Sequence, residues 1–368
     1  MKVLIFHNTL SAQYKSIYFE KIFQNLKNSG GDLFVVQTSY SEAYRFNHFD
    51  KLSLENSIKY PYFLISKKPL EKVNQLFEFY FWLKYIITFK PDILNLTGYT
   101  SIFTLPTLLI CKFLKIKTII TLESITTSKN LDSIKAIIKK IILKNVDYIN
   151  SYGLKTNNYL FSMCVPKTKI INFSNTFDKN KFNNISDLKV KNQTIKLLFI
   201  GRLSEEKNLI NTIKFLSKIK KNNLEFDIYG DGPLQEKIKL LIQKNNLQFV
   251  KLMGPIKWNE VSNIYPKYDY LILLSNSETW GMVANEALFF NIPVICSENC
   301  GCADDLVISN QNGLILGDLE NQNTIIQLEN YLNKPLNSIN FIQRNNLIFD
   351  EKFAINNFLE KLYLLNEK

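Results

Sequence analysis

Four side chains have the types and the setting to handle an activated, negatively charged group. Glu278 lies in the polar turn Asn276 to Trp280, and Glu286 lies eight positions further on, in a helical pattern that begins near Gly281. Upstream, Arg202 follows the apolar run Leu197 to Ile200 and Gly201, and Lys207 comes after a short polar turn, where the next helix begins. The first N–H groups of a helix have no partner within it and carry partial positive charge, so Gly281, Met282 and Val283 suit a phosphate, with Gly281 permitting close approach. Helical side chains lean back toward the N-terminus, so Glu286 reaches the same pocket and its carboxylate can hold a sugar diol. Two cations at the carboxyl end of a strand suit a diphosphate leaving group, which gains negative charge as a bond to it breaks.

The elements that must position these groups are legible nearby. Leu271 to Leu274 is an uninterrupted apolar run, the pattern of a strand buried on both faces. The helix after Gly281 should end at Asn291, because Pro293 bars its continuation, and Pro293 to Cys296 reads as the next strand. Strand, turn, helix and strand in succession make the core of a parallel α/β sheet. The same alternation runs from Leu197 onward, through Glu225 to Tyr229, the turn GDGP and Phe249 to Met253.

With these motifs in this order, the sequence resembles the retaining glycosyltransferases of the GT-B type (family 4, group 1), whose signature is two glutamates eight positions apart, with an arginine and a lysine upstream. The resemblance implies an α/β fold of two Rossmann-like domains facing a central cleft. It places Glu278 beside the transferred sugar, Glu286 on the ribose, Gly281, Met282 and Val283 on the diphosphate, Arg202 and Lys207 on the leaving group, and the backbone of the loop Gly254 to Ile256 on the base. It implies a UDP- or GDP-sugar as co-substrate and no further cofactor. The sequence lacks any D-x-D triplet, which disfavours the manganese-clamped architecture and leaves Arg202 and Lys207 in the metal's role. It departs from the family at the loop NTLSAQ, where Ser11 and Ala12 stand in place of a glycine pair. It departs again after the strand DILNLT, where Asn95 and Thr97 stand in place of histidines, so no protein general base is expected there. A retaining transferase whose departing phosphate accepts the acceptor's proton needs none.

At 368 residues the chain is long enough for two α/β domains, and 46% hydrophobic content excludes a disordered chain. The expected division is an acceptor-binding domain at 1–175, a linker at 176–195, a donor-binding domain at 196–345, and a final helix at 346–368 that by resemblance crosses back to the first domain. The five cysteines are scattered apart from the C-x-C of Cys300 and Cys302, and only His7 and His48 could help them bind a metal, so reduced thiols are expected. No apolar run is long enough to span a bilayer, and Met1 leads straight into a strand without a signal-peptide layout, so a cytoplasmic protein, or one peripheral at the inner face of the cell membrane, is expected.

Charge is distributed unequally. Residues 1–180 hold 24 Lys and Arg against 12 Asp and Glu, whereas residues 181–368 hold 21 against 21, so the net charge of +12 lies in the first half. That half suits an anionic surface, a phospholipid leaflet or a nucleic acid. Within it, Leu131 to Asn145 is a basic amphipathic helix. Its isoleucines 134, 137, 138, 141 and 142 can pack on the sheet, while Lys135, Lys139, Lys140 and Lys144 meet solvent or lipid headgroups. The aromatic helix Leu70 to Phe89 reads as core, and Glu123, in a loop after a strand, is a candidate acceptor ligand.

The expectation is therefore a retaining, metal-independent hexosyltransferase (EC 2.4 class) acting on a glycan or lipid-linked acceptor in bacterial surface polysaccharide assembly, such as O-antigen, capsule or lipopolysaccharide. Two other classes fit parts of the sequence. The missing histidines and glycine pair suit an inactive homologue acting as a binding partner. The basic half suits a nucleic-acid binder, although it contains no recognition-helix or stacking-sheet motif.

Overall fold

Strands of near-continuous apolar residues separated by helices build sheets whose two faces are both covered. A computed structural model describes residues 1–43, 46, 50–99, 101–123, 134–173, 194–221, 223–256, 258–334 and 351–366. The chain divides into two units, Met1–Ser174 with Asp350–Lys368, and Asn175–Phe349. The expected linker at 176–195 lies almost wholly outside the described residues, as do His48 and residues 346–350.

The first unit contains β1 (Lys2–Thr9), α1 (Gln13–Asn28), β2 (Asp32–Ser39), α2 (Lys51–Asn56), β3 (Tyr62–Leu64), α3 (Gln75–Phe89), β4 (Ile93–Thr97), α4 (Thr104–Phe113), β5 (Lys117–Leu122), α5 (Ile134–Asn145), β6 (Tyr148–Tyr152), α6 (Gly153–Ser162) and β7 (Ile170–Phe173). Its sheet is parallel, in the order β3-β2-β1-β4-β5-β6-β7. The second unit contains β8 (Ile195–Ile200), α7 (Leu209–Leu216), β9 (Leu224–Tyr229), α8 (Gln235–Lys244), β10 (Val250–Gly254), β11 (Tyr270–Leu273), α9 (Met282–Phe289), β12 (Val294–Ser297), α10 (Ala303–Leu306), β13 (Gly313–Leu316) and α11 (Gln322–Leu332). Its parallel order, β10-β9-β8-β11-β12-β13, is that of a dinucleotide-binding Rossmann sheet. The last helix, α12 (Glu351–Asn366), belongs to the first unit, where Phe358, Leu359, Leu362 and Leu365 are buried with Val3, Ile5 and Tyr18.

In both units the strand order reverses once, between β1 and β4 and between β8 and β11. At such a switch point the chain leaves adjacent strands toward opposite faces, which opens a crevice beyond their carboxyl ends. The loops after β8 and β11 are the ones that carry Arg202, Lys207, Glu278 and Gly281.

Two surface features depart from expectation. On α5 the buried residues are Ala136, Ile142 and Leu143, while Ile134, Ile137, Ile138 and Ile141 are 77%, 52%, 46% and 41% exposed. The helix packs through its other side, so most of the isoleucine arc faces solvent and is flanked by lysines. On α3 the aromatics divide between the two environments. Trp82 is core and stacks on Phe6, but Phe77 and Tyr80 are exposed. No described helix is long and apolar enough to cross a membrane.

Candidate active site

The loop after β8 owes its shape to two glycines in another loop. Gly230 and Gly232, both at positive φ in the GDGP turn after β9, lie so close to the β8 loop that a Cβ on Gly230 would sit 1.8 Å from the Gly201 carbonyl oxygen, and one on Gly232 2.6 Å from that of Leu203. Backbone hydrogen bonds bind the three neighbouring loops edge to edge. Gly201 N–H donates to Tyr229 O (3.0 Å), Leu203 N–H to Asp231 O (2.7 Å) and Gly230 N–H to Gly254 O (2.8 Å). Arg202 and the Gly254 to Ile256 segment therefore occupy one rim, at the carboxyl ends of β8, β9 and β10. Ile256 is half-buried against the core beneath.

Lys207 closes a 3-10 turn, Glu205–Lys207, that precedes α7. Asn208 follows in the left-handed conformation (φ 57°) and donates from Nδ2 to Leu274 O (3.1 Å), which anchors the turn to the end of β11. The Glu206 carbonyl accepts from Asn276 N–H (2.9 Å), so the β8 and β11 loops are joined directly. Burial raises the Glu206 carboxyl, but the hydrogen bond from Ser204 (2.5 Å) and the charges of Arg202 and Lys207 outweigh it and hold the pKa below the usual carboxylate value.

Across this junction the Lys207 ammonium donates to Glu278 Oε2, a contact between residues 71 positions apart. Glu278 is held from behind by the segment before α10. Its N–H donates to Asn299 O (3.3 Å), its carbonyl accepts from Gly301 N–H (2.8 Å), and Cys302 N–H donates to Trp280 O (3.0 Å). Gly301 has no room for a side chain, because a Cβ would lie 1.9 Å from Thr279 O. Cys300 and Cys302 are fully buried under the loop, and the Cys300 thiol donates to Leu273 O at 3.1 Å. No described group of acidic, cysteine or histidine side chains could hold a metal ion. The buried Trp280 indole donates to Asn285 Oδ1 (2.7 Å), which ties the turn to α9.

Gly281 caps α9 at φ 99°, where a Cβ would lie 2.8 Å from Leu273 Cδ2 and 3.3 Å from Glu278 Cγ. Glycine is thus required by backbone conformation and by packing. The amides of Met282 and Val283 open the helix and by helix geometry have no intrahelical acceptor. Glu286 lies on the buried side, 8% exposed, and accepts from the Tyr265 hydroxyl (2.7 Å). Burial lifts its pKa to about 7, with the Tyr265 hydrogen bond opposing the rise. Tyr265 itself stacks on Phe290. It falls in an irregular 3-10 turn with no diagnostic spacing, so no sequence signal marks it.

In the first unit, Glu123 Oε1 accepts from the buried Lys15 ammonium at 3.1 Å, and Lys15 also donates to the Tyr152 hydroxyl. Asn95 is buried and accepts from Thr121 Oγ1 (3.0 Å), so it serves the sheet. Ser11 N–H donates to Tyr40 O (2.8 Å), which fixes the loop after β1 to the end of β2.

Residues 180–346 match the model for glycosyl transferases group 1. The match lies within the second domain, the part of the chain that resembles the group 1 glycosyl transferases. Similar proteins include an uncharacterized glycosyltransferase of Methanocaldococcus jannaschii, 33% identical over 43% of this chain and 43% of that protein. Another is an undecaprenol-linked GalNAc-glycan α-1,4-N-acetyl-D-galactosaminyltransferase of Campylobacter jejuni, 32% identical over 33% of this chain and 34% of that one. The matched segment spans less than half the length of either relative. Over the whole chain, the fold resembles two solved structures. A lipopolysaccharide outer core galactosyltransferase has a TM-score of 0.71 at 18% identity, with 99% of each chain covered. The Anabaena protein HepE, solved with UDP and glucose, has a TM-score of 0.72 at 17% identity, with 99% of this chain and 100% of that one covered. Both units are Rossmann-like domains, as in the GT-B fold.

Proposed function

We propose that the protein is a retaining glycosyltransferase that moves a sugar from a UDP- or GDP-sugar to a glycan or lipid-linked acceptor in bacterial surface polysaccharide assembly. The observation that carries this reading is the meeting of Lys207 and Glu278 over Gly281, at the switch point of a Rossmann sheet. A diphosphate there takes the amides of Met282 and Val283 and the charges of Lys207 and Arg202, while Glu286, oriented by Tyr265, takes a ribose diol. The same cations stabilise the charge that develops on the leaving phosphate, which makes a metal-independent reaction the simplest scheme. Glu278, shared with Lys207, lies beside the departing sugar. The names of the Campylobacter transferase and the outer core galactosyltransferase support the choice of acceptor class.

We place the acceptor and an anionic membrane surface at the first domain, at the cytoplasmic face. Two neighbouring features support docking. Ile134, Ile137, Ile138 and Ile141 on α5, with Leu109 and Phe113 on the adjoining α4, form an exposed apolar surface. Lys112, Lys115, Lys117 and Lys144 line a groove of about 620 Å3 at the amino ends of β4 to β6. Apolar side chains that enter a leaflet beside lysines that meet its phosphates are the combination interfacial binding requires.

The test is a thermal-shift panel of UDP-, GDP- and ADP-sugars on the full chain, with Glu286→Ala and Arg202→Ala alongside. Stabilisation by one donor, lost in both variants, is the expected result. If no sugar nucleotide stabilises the chain, the enzyme reading fails and a binding homologue remains.

A further inference from the structure

The crevice of the first unit lies beyond the carboxyl ends of its strands, and a second concave surface lies at the opposite edge of the sheet. There, at the amino ends of β4, β5 and β6, the groove of about 620 Å3 is lined by Lys112, Lys115, Lys117, Lys144 and Lys169, with Asp92 and Asp147 as its acidic side chains. Both carboxylates are engaged by the backbone. Lys2 N–H donates to Asp92 Oδ2 (2.7 Å), and the Thr118 N–H and hydroxyl both donate to Asp147 Oδ2 (2.8 Å each). The Lys169 ammonium donates to the carbonyls of Lys144 (2.9 Å) and Val146 (2.8 Å). Lys112, Lys115, Lys117 and Lys144 form no ion pair among the described residues. Crowded cations oppose one another: burial and the charge of Lys112 lower the Lys169 pKa against the pull of Asp147.

Two of the lysines have an ordinary explanation. Lys112 and Lys144 fall in the last turns of α4 and α5, where a cation offsets the helix dipole. That does not account for Lys117, which lies in β5, or for the conformation of Lys115. Lys115 terminates α4 in the left-handed region (φ 59°), its N–H donating to Lys112 O (3.2 Å) while Ile116 N–H donates to Cys111 O (2.8 Å). Glycine takes this terminating position without steric cost, and lysine does not. A charged residue placed where the backbone favours glycine points to a use for the charge.

The lining also defines the anion. Five lysines against two carboxylates leave a net charge of +3, more than one phosphate group, at about −1.5 to −2, can neutralise. Lysine ammoniums are point charges on flexible stems, which suit phosphate oxygens and do not select a planar group as an arginine fork does. The groove has no aromatic side chain on which a base could stack. We infer that this groove binds a compact polyphosphate, two or more phosphate groups without an aromatic moiety, and that the bound anion competes with a phospholipid leaflet for Lys112, Lys115, Lys117 and Lys144. Anion binding stands on the groove alone, whereas the competition rests on the docking proposed above. With the groove empty the lysines are available to leaflet phosphates; with it occupied their charge is spent and the protein leaves the surface. The concentration of a soluble polyphosphate then sets how much of the protein is membrane-bound.

The experiment is calorimetric titration of the full chain carrying Arg202→Ala and Lys207→Ala, which removes the donor-site cations as a competing anion site. Inorganic triphosphate, phosphate and sulfate are compared at roughly 0.15 M ionic strength, where charges further apart than about 8 Å are screened. Triphosphate should saturate one site and bind at least about tenfold more tightly than phosphate or sulfate, and ATP should gain nothing over inorganic triphosphate. Lys115→Gly and Lys117→Gln should each weaken it by about tenfold, the loss of one charge-assisted hydrogen bond. Lys115→Gly should leave Tm unchanged or higher, so its lost binding is not a loss of fold. Lys135→Gln with Lys140→Gln removes two charges from α5 outside the groove and should change the affinity by less than about twofold. The site is overturned if triphosphate does not saturate below about 10 mM, or if the α5 pair weakens binding as much as the groove variants do. Flotation of the unmodified chain with phosphatidylglycerol vesicles reads the competition: triphosphate should release the protein, and sulfate at equal ionic strength should not. Retention on vesicles despite bound triphosphate overturns the competition. Absence of vesicle binding with triphosphate binding intact overturns the docking reading and leaves the anion site standing.

Discussion

Among the carboxyls of the candidate site, Glu286 is held well away from its ordinary state by burial. Its folded pKa of about 7 against the usual 4.5 means the folded chain holds a proton that the unfolded chain releases between those values. Stability therefore falls as pH rises from 4.5 through 7 and levels off above that. The loss is on the order of 3–4 kcal/mol, since each pKa unit corresponds to about 1.4 kcal/mol. Glu286→Gln retains an acceptor for Tyr265 and has no charge to bury, so its denaturation midpoint should lack this part of the pH dependence and exceed the wild-type value at pH 8. Equal slopes for the two proteins from pH 4.5 to 8 would show that the carboxyl is not buried as described. The spacing of Glu278 and Glu286 and the order of Arg202 and Lys207 were legible from sequence. Tyr265 was not, because a residue in an irregular 3-10 turn enters no periodicity and its partner is 21 positions away.

At the scale of elements, the site is a set of loops held in mutual register by glycines. Gly230→Ala places a Cβ 1.8 Å from the Gly201 carbonyl, and the rim carrying Arg202 must move. Strain of about 1–3 kcal/mol should lower the Tm of the second domain by roughly 2–10 °C and weaken sugar-nucleotide stabilisation with it. Gly254→Ala is the comparison, for it too has positive φ (81°) but nothing within 4 Å of the added carbon, and should cost less. Equal losses would assign the effect to φ alone. The GDGP turn reads in sequence as a turn and nothing more, because its role as the packing surface for Gly201 and Leu203, on either side of Arg202, depends on which strand lies beside β9. Amphipathicity likewise gave α5 its lysine and isoleucine arcs but not the direction each faces, because burial of Ala136, Ile142 and Leu143 suffices to seat the helix. If the isoleucines enter a leaflet, Ile137→Asp with Ile141→Asp should reduce binding to anionic vesicles by well over tenfold, since each buried isoleucine is worth about 1.5–3 kcal/mol. Tm should stay within a degree or two, because both positions are exposed. Undiminished flotation with such vesicles would remove α5 from the docking surface.

At the scale of the whole chain, two Rossmann sheets with the same strand logic have diverged in charge, and the first is completed by the last helix. The alternation of strand and helix made both sheets legible, whereas the place of α12 in the first core is not encoded in any local pattern: its helical period fits any apolar surface. In the structure Phe358 is fully buried against Tyr18 (ring centroids 5.7 Å), and Tyr363 reaches the Ser29 hydroxyl at 2.8 Å. Four buried apolar side chains at about 1.5–3 kcal/mol each amount to roughly 6–12 kcal/mol, comparable to the entire stability of a typical domain. Phe358→Ala alone should therefore destabilise the first domain by about 3–5 kcal/mol, because it removes a buried ring and leaves a cavity. Calorimetry of the full chain would show the transition of the first domain shifted down, while the transition that responds to sugar nucleotide stays in place. A shift of the donor-responsive transition instead would mean that α12 supports the second domain, and that the first folds without the chain's final segment.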